Sequence, residues 1–445
     1  MQVFHGIARC FAGMLPSEPV QLDDWRRRSA TLVGALLVGI VALAFAKMGD
    51  LAQKLFTQMQ SDVWWFAFVW TPFLFLVFAA VTRQLAPDAR GSGIPQVIAA
   101  SHNAHSDYSR RLLSLRVGLS KLFLTVGGLF GGASVGREGP TVQVAAAIMV
   151  KIHRWFGVKL TPGVMIAGGA AGVSAAFNTP LAGIAFAIEE LAVAYEQRVA
   201  VLVMAAVMIS GLTSLGIAGD YVYFGQTDTS LPVSTMLVAA PLAGIVGGIA
   251  GGLFSRWFLA LRGPGGRFSD LLGRRPMMIA LVCGLIVAAI GVASGGMTWG
   301  TGYEPTKALL EGGDGALWFG PAKLAATLAT AVSGIPGGIF APSLAVGAGF
   351  GELLTPLFPS AEAGAIVLLG MAGYFVGVVR APLTAVIILA ETTGSASSMI
   401  LPLFATALIG DWAGSIVCKQ RLYHALSKDF VPKQDEDEAQ RSSVS

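Results

Sequence analysis

One spacing recurs along this chain of 445 residues. Gly136-Arg137-Glu138-Gly139-Pro140 resembles Gly338-Ile339-Phe340-Ala341-Pro342, and Pro140 lies 202 residues before Pro342. AAGVSAAFNTPLAGIAFAIEE at 170–190 resembles MAGYFVGVVRAPLTAVIILAET at 371–392, and Pro180 lies 202 residues before Pro382. Two separate motifs sharing one offset mark an internal duplication, so the fold is expected to consist of two related halves.

The halves are built for lipid. The chain is 54% hydrophobic and 13% charged, with a mean hydropathy of +0.68. Soluble domains carry about 25% charged residues, so a water-soluble globule is excluded and a single polytopic membrane domain replaces the three soluble domains that length alone suggests. Apolar runs near the roughly 20 residues that a bilayer demands lie at Ser29–Lys47, Val63–Val81, Leu112–Phe130, Val199–Ile217, Val233–Leu259, Met277–Val292 and Met399–Val417. Between them are shorter apolar stretches cut by glycine and proline, at 91–101, 131–150, 161–176, 180–195, 337–354, 362–378 and 382–394. Broken backbone at membrane depth is tolerated only inside protein or along a cavity, so the interrupted stretches are where a site is expected.

Orientation follows from Lys and Arg. Arg26, Arg27 and Arg28 precede the first span and place the N-terminus in the cytoplasm; Arg256, Arg262, Arg267, Arg274 and Arg275 place a loop at 256–276 on the same side. Val199 to Ser255 has no Lys or Arg, and the loop at 219–230 holds Asp220 and Asp228, which puts it outside. Adding the repeat offset to Arg28 gives Ser230, in that outer loop, so the second half enters the membrane from the opposite side. Inverted halves with broken helices are the signature of a membrane transporter with a midplane site. The expected division is a cytoplasmic segment 1–28, a first half 29–218, an extracellular linker 219–232, a second half 233–427 and a charged cytoplasmic tail 428–445. Met1–Asp24 has no apolar core followed by a cleavage site and reads as a short amphipathic lead-in.

Three motifs of glycine and proline, Gly91-Ser92-Gly93-Ile94-Pro95 and the two pentapeptides above, each precede an apolar helical stretch. Proline suits a first helical turn, and glycine lets the preceding chain turn sharply. Each motif therefore offers a buried helix N-terminus with free N–H groups. Three of them converging would hold an anion by partial charges, without a base that would retain a halide too tightly. Glu138, in one such first turn, is itself an anion suited to the ligand's place: ionised it blocks the path, protonated it swings away. Glu189 and Glu190 end an apolar run; Glu189 aligns with Glu391, which suggests a shared capping or pairing role, whereas Glu190 aligns with Thr392 and is the better functional candidate. Lys121, Lys323 and Arg380 are further charges in apolar stretches, Arg380 expected to pair at a helix end.

Other chemistry is poorly supported. Cys10, Cys283 and Cys418 form no disulfide framework. His102 and His105 in SHNAHSDY lack a third ligand and read as a polar loop. No metal or cofactor is implied, and a net charge of +4 does not point to nucleic acid. An intramembrane hydrolase would need Ser92 with His102 or His424, and neither a GxSxG motif nor a zinc helix supports one.

The three motifs, in this order, resemble those of the CLC family of chloride channels and chloride/proton antiporters, and the similarity runs from about residue 29 to about 427. The resemblance implies an all-α, inverted-repeat membrane fold of about 18 broken and tilted helices, working as a homodimer in the lipid bilayer through helices near 180–217 and 382–417. It implies that Ser92 offers a hydroxyl to the central chloride and that the amides of Ile339 and Phe340 complete that site. The Tyr423 hydroxyl would bind the ion from the inner side, and Gly93, Arg137 and Gly139 join this chloride-binding set. Glu138 becomes the external gating glutamate and Glu190 the internal proton-transfer glutamate, which favours an antiporter over a passive voltage- or pH-gated chloride channel. Lys121 matches a lysine that tunes the pathway electrostatics. Gln96 stands where a glutamate is common, outside the motif. Ser92 favours chloride over nitrate, and the retained GREGP departs from the fluoride-exporting branch. About 20 residues follow Tyr423, too few for the cytoplasmic domains of eukaryotic relatives, so the expected home is a bacterial inner membrane, with no enzymatic activity and no cofactor beside the transported chloride and protons.

Overall fold

The structure is a computed structural model describing residues 22–191, 197–219, 223–224, 231–262, 273–313, 315–359, 362–394 and 397–432. Cys10, Asp220, Asp228, Arg267, residues 1–21 of the N-terminal segment, residues 220–222 and 225–230 of the linker, and the acidic end of the tail lie outside the described residues. Those described form 18 α-helices and no named strand.

In chain order the first half contains α1 (Leu22–Asp62), α2 (Phe66–Leu85), α3 (Ile94–His102), α4 (Asp107–Leu112), α5 (Leu115–Phe130), α6 (Glu138–Trp155), α7 (Pro162–Phe177), α8 (Pro180–Phe186) and α9 (Gln197–Ala218). The second contains α10 (Val233–Arg262), α11 (Pro276–Ala293), α12 (Tyr303–Leu310), α13 (Phe319–Ser333), α14 (Phe340–Glu352), α15 (Ala363–Val379), α16 (Pro382–Thr393), α17 (Ile400–Val417) and α18 (Leu422–Ser427). Six of these, α1, α2, α9, α10, α11 and α17, are long and apolar enough to cross a bilayer. The glycine- and proline-cut stretches hold seven further helices, α3, α6, α7, α8, α14, α15 and α16, of 7–18 residues.

Three expectations need correction. The span read as Leu112–Phe130 starts only at Leu115, because Leu112 ends α4 and Ser114 accepts the Val117 N–H at 3.3 Å and caps a new start. The first span runs on to Asp62, since no glycine or proline interrupts the helix-favouring residues 51–62. Helix α10 likewise continues to Arg262, so Arg256 and Arg262 sit on a helix and not in a loop.

Packing places the broken helices at the centre. Almost every residue of α7 and α15 is buried, as befits helices apolar on all faces. The second half packs its own helices together through small residues. In α10, an added Cβ at Gly251 would stand 2.5 Å from the Tyr374 carbonyl oxygen, and one at Gly248 would stand 2.5 Å from that of Gly410. Such close approach drives helix association where lipid removes the hydrophobic incentive. The duplication also shows in backbone detail. Asn178 and Arg380, 202 residues apart, are the two non-glycine residues with positive φ among those described, at +57° and +67°, and each ends its helix. Arg380 also pairs there, Nε donating to Asp411 at 2.6 Å.

Candidate anion-binding site

The three glycine-proline motifs meet. Pro95, Pro140 and Pro342 lie in the first turns of α3, α6 and α14, where a missing N–H breaks no helical bond. Gly136 and Gly338 exchange backbone hydrogen bonds in an antiparallel bridge, Gly136 N–H to Gly338 O at 2.7 Å and the reverse at 2.9 Å. Gly337 N–H donates to Gly91 O at 3.2 Å. Gly93 has φ +110°, and an added Cβ there would lie 2.6 Å from the Gly139 carbonyl oxygen; glycine alone satisfies both the angle and the space.

Ser92, Ile339 and Tyr423 line one cavity of about 430 Å³. The Ser92 hydroxyl oxygen accepts the Ile94 N–H at 3.3 Å, which leaves its proton to donate elsewhere. Tyr423 is fully buried, and its hydroxyl has no protein partner; an orphaned buried hydroxyl costs about 1–3 kcal/mol. The N–H groups of Ile339 and Phe340, at the cap and first position of α14, have no acceptor within the helix. The Phe340 ring packs against Phe177, Phe186 and Phe375, so only its backbone remains to meet a ligand. Hydroxyls and helix-end amides suit an anion held by partial charge.

Glu138 is the first residue of α6 and 1% exposed. Its carboxylate lies beside the backbone amides of Arg137, Ala341 and its own residue, yet neither oxygen has a hydrogen-bond partner. Arg137 does not neutralise it by pairing: Nη1 of that guanidinium donates to Asp50 at 2.6 Å and to Ala46 O at 2.7 Å. The Arg137 side chain is thereby committed away from the cavity, while Gly139 lies against Ser92.

Glu190 is fully buried, and neither of its oxygens has a hydrogen-bond partner. It sits in a single π-turn, Ala187–Leu191, that continues α8, a distortion frequent at functional positions and unannounced by the local sequence. The Tyr423 side chain feels the charges of both Glu138 and Glu190, so it lies in electrostatic reach of the two acids. His424 Nε2 stands 3.8 Å from Glu190 Oε1.

The model of the voltage-gated chloride channel family matches residues 73–415. The chain belongs to the CLC family. Solved CLC structures share its fold. One is a slow cyanobacterial Cl⁻/H⁺ antiporter, 23% identical, with a TM-score of 0.78 over 92% of this chain and 99% of that one. A CLC-type fluoride/proton antiporter is 20% identical, with a TM-score of 0.76 over 92% and 99%. A eukaryotic CLC transporter is 21% identical, with a TM-score of 0.72 over 91% of this chain and 74% of that one.

Within this CLC chain, Lys121 is fully buried and donates to the carbonyls of Arg90 at 3.2 Å and Gly91 at 2.7 Å. It therefore clamps the loop that carries Ser92. Gln96 holds the same loop, donating to Arg90 O at 2.6 Å and Asp88 O at 3.2 Å. Lys323 is the repeat partner of Lys121, 202 residues on, and donates to Thr298 O at 2.9 Å and Gly300 O at 2.8 Å. That shared offset was a usable signal. Sequence reasoning also missed Arg83, Arg90, Arg262 and Asp429, which line the Ser92 cavity as well; arginines far apart in sequence give no pattern of convergence. Such a group of arginines draws anions into the cavity.

Proposed function

We propose that this CLC protein is a chloride/proton antiporter, moving the two ions in opposite directions across the membrane. The observation that carries the reading is Glu138: a buried carboxylate with no side-chain partner, at one helix N-terminus and beside the first-turn amide of another, where an anion would itself be held. Protonation would release it from that place, which makes one residue both gate and proton carrier. Chloride would pass Ser92, the Ile339 and Phe340 amides and the Tyr423 hydroxyl; Gly93 and Gly139 let the loops approach, and Arg137 fixes the entrance through Asp50. The proton would reach Glu138 from the inner side by way of Glu190.

A second unpartnered acid away from the anion cavity supports exchange over passive conduction, since a channel has no use for it. Retention of Ser92 and of the whole Gly136–Pro140 motif supports chloride over fluoride. The basic rim of the cavity, with Arg83, Arg90 and Arg262, supports a cytoplasmic face there, and both termini belong on that side of a bacterial inner membrane. Halves at 29–218 and 233–427, joined by an outer linker at 219–232, fit the repeat. Exposed Leu181, Val201, Leu212, Leu401 and Leu408 on α8, α9 and α17 suit the interface of a homodimer.

The test is purified protein in liposomes read with chloride and pH electrodes together. An outward chloride gradient is expected to drive protons inward against their own gradient. Chloride leak without proton movement leaves only a channel, and proton movement driven by fluoride but not chloride reassigns the anion.

A further inference from the structure

Glu190 is fully buried, so a proton from water cannot meet it without an intermediary. One titratable side chain bridges the gap. His424 lies in α18, its side chain is 34% exposed, and its Nε2 is 3.8 Å from Glu190 Oε1. Consecutive residues on a helix point about 100° apart. Tyr423 consequently lines the anion cavity while His424, next to it, addresses the acid. Adjacent positions of one short helix thus serve two separate routes.

We propose that His424 loads Glu190 with protons from the cytoplasmic water, as the inner proton donor of the antiport reading above, on which this assignment rests. In the transfer the imidazolium Nε2–H bond breaks and an O–H bond forms on Glu190, so that a cation and an anion become two neutral groups. The neutral imidazole then takes a proton from the water or buffer. The gap exceeds the roughly 2.6–3.2 Å of a direct transfer, and a small rotation of the exposed ring or one water closes it. Imidazole suits the task because its ordinary pKa lies near neutral pH.

The charged groups facing His424 are Glu190 from the π-turn, Arg421 from the lead-in to α18, and His102 from the last turn of α3, the helix on which α18 packs. Arg421 is itself held, Nη1 donating to Glu189 O at 3.3 Å. His102 is anchored by its Nδ1 at 2.7 Å from Ile98 O. A purely structural His424 would pair with Glu190 and add only stability.

His424→Ala and His424→Gln in liposomes separate the two roles. Proton flux is expected to fall at least about tenfold, with chloride flux within twofold of wild type, and imidazole added on the cytoplasmic side to His424→Ala is expected to restore at least half of it. Rescue by a diffusible base has no structural counterpart. Undiminished proton flux in both variants, or a loss that imidazole leaves unchanged, overturns the assignment while wild-type exchange leaves the antiport reading standing. Wild-type protein that drives no protons uphill overturns both.

Discussion

Glu189 and Glu391, 202 residues apart, each cap the helix that carries the other's half of the repeat. The Glu189 carboxylate accepts the Leu383 and Thr384 N–H groups at 2.9 and 2.7 Å, at the start of α16. The Glu391 carboxylate, near the end of α16, accepts those of Leu181 and Ala182 at 3.1 and 2.8 Å, at the start of α8. Charged acceptors at helix N-termini gain from both the hydrogen bonds and the dipole. Glu391→Gln is expected to lose about 1.5–3 kcal/mol, read as a lower Tm in detergent, without changing the ratio of chloride to proton flux. A wild-type Tm would remove the capping role.

Glu138 has no side-chain partner to lose, so its replacement tests transport and not stability. Glu138→Ala is expected to abolish proton movement, keep chloride flux and erase the dependence of that flux on external pH, while Tm stays within about 1 °C. Isotope exchange of chloride at several pH values reads this directly. Persistent uphill proton movement in the variant would deny Glu138 its place.

The orphaned hydroxyl of Tyr423 gives a contrasting case. Tyr423→Phe removes a buried group that no protein atom satisfies, so folding should be unharmed or helped. Chloride should bind about three- to tenfold more weakly, the equivalent of one hydrogen bond of about 1 kcal/mol. Calorimetric titration of wild type and variant in detergent checks both halves of this expectation. Unchanged affinity would mean that the hydroxyl faces no ion.

Asp429 lines the same cavity as Arg83, Arg90 and Arg262. Its carbonyl accepts Arg90 Nη2 at 3.2 Å, and the Arg90 guanidinium lies 4.8 Å over the Phe430 ring. Packing at the rim pushes the Asp429 carboxyl above the usual carboxylate range, with the Arg90 charge opposing. Below that raised pKa the group is neutral; as pH rises through it a negative charge appears and repels anions from the cavity. In the proton-uncoupled Glu138→Ala background, chloride flux should therefore increase as the cytoplasmic side is acidified, and adding Asp429→Asn should hold the higher flux at all cytoplasmic pH values. Flux in the variant that still follows cytoplasmic pH over the same range would assign the effect elsewhere.

Period and punctuation carried most of the fold. Long apolar runs are the long helices, and Pro95, Pro140, Pro162, Pro180, Pro342 and Pro382 each mark a helix start, because both properties act within a few residues. The repeat offset added the pairing of halves that local pattern lacks. What stayed hidden depends on tertiary contact: the π-turn under Glu190, the convergence of Arg83, Arg90 and Arg262, and helices α12 and α13, whose lysines and threonines mask apolar character that only burial reveals. Arg137 stood out beside Glu138 in sequence, yet its partner Asp50 lies on α1, 87 residues away.

Lys121 and Lys323 offer a comparison internal to the molecule. Both are fully buried, both donate to two backbone carbonyls, and 202 residues separate them. The carbonyls bound by Lys121 adjoin Ser92, whereas those bound by Lys323 belong to the turn before α12, away from the Ser92 cavity. Removing either amine leaves buried carbonyls short of a donor, at about 1–3 kcal/mol, so Lys121→Met and Lys323→Met should destabilise alike. Only Lys121→Met frees the Ser92 loop, and it alone should weaken chloride binding, by about five- to tenfold. Thermal melts with and without chloride measure the two effects together: Lys323→Met keeps the wild-type stabilisation by chloride, and Lys121→Met loses most of it. Equal chloride responses in the two variants would show that the lysines brace the fold in both halves and leave the anion site indifferent.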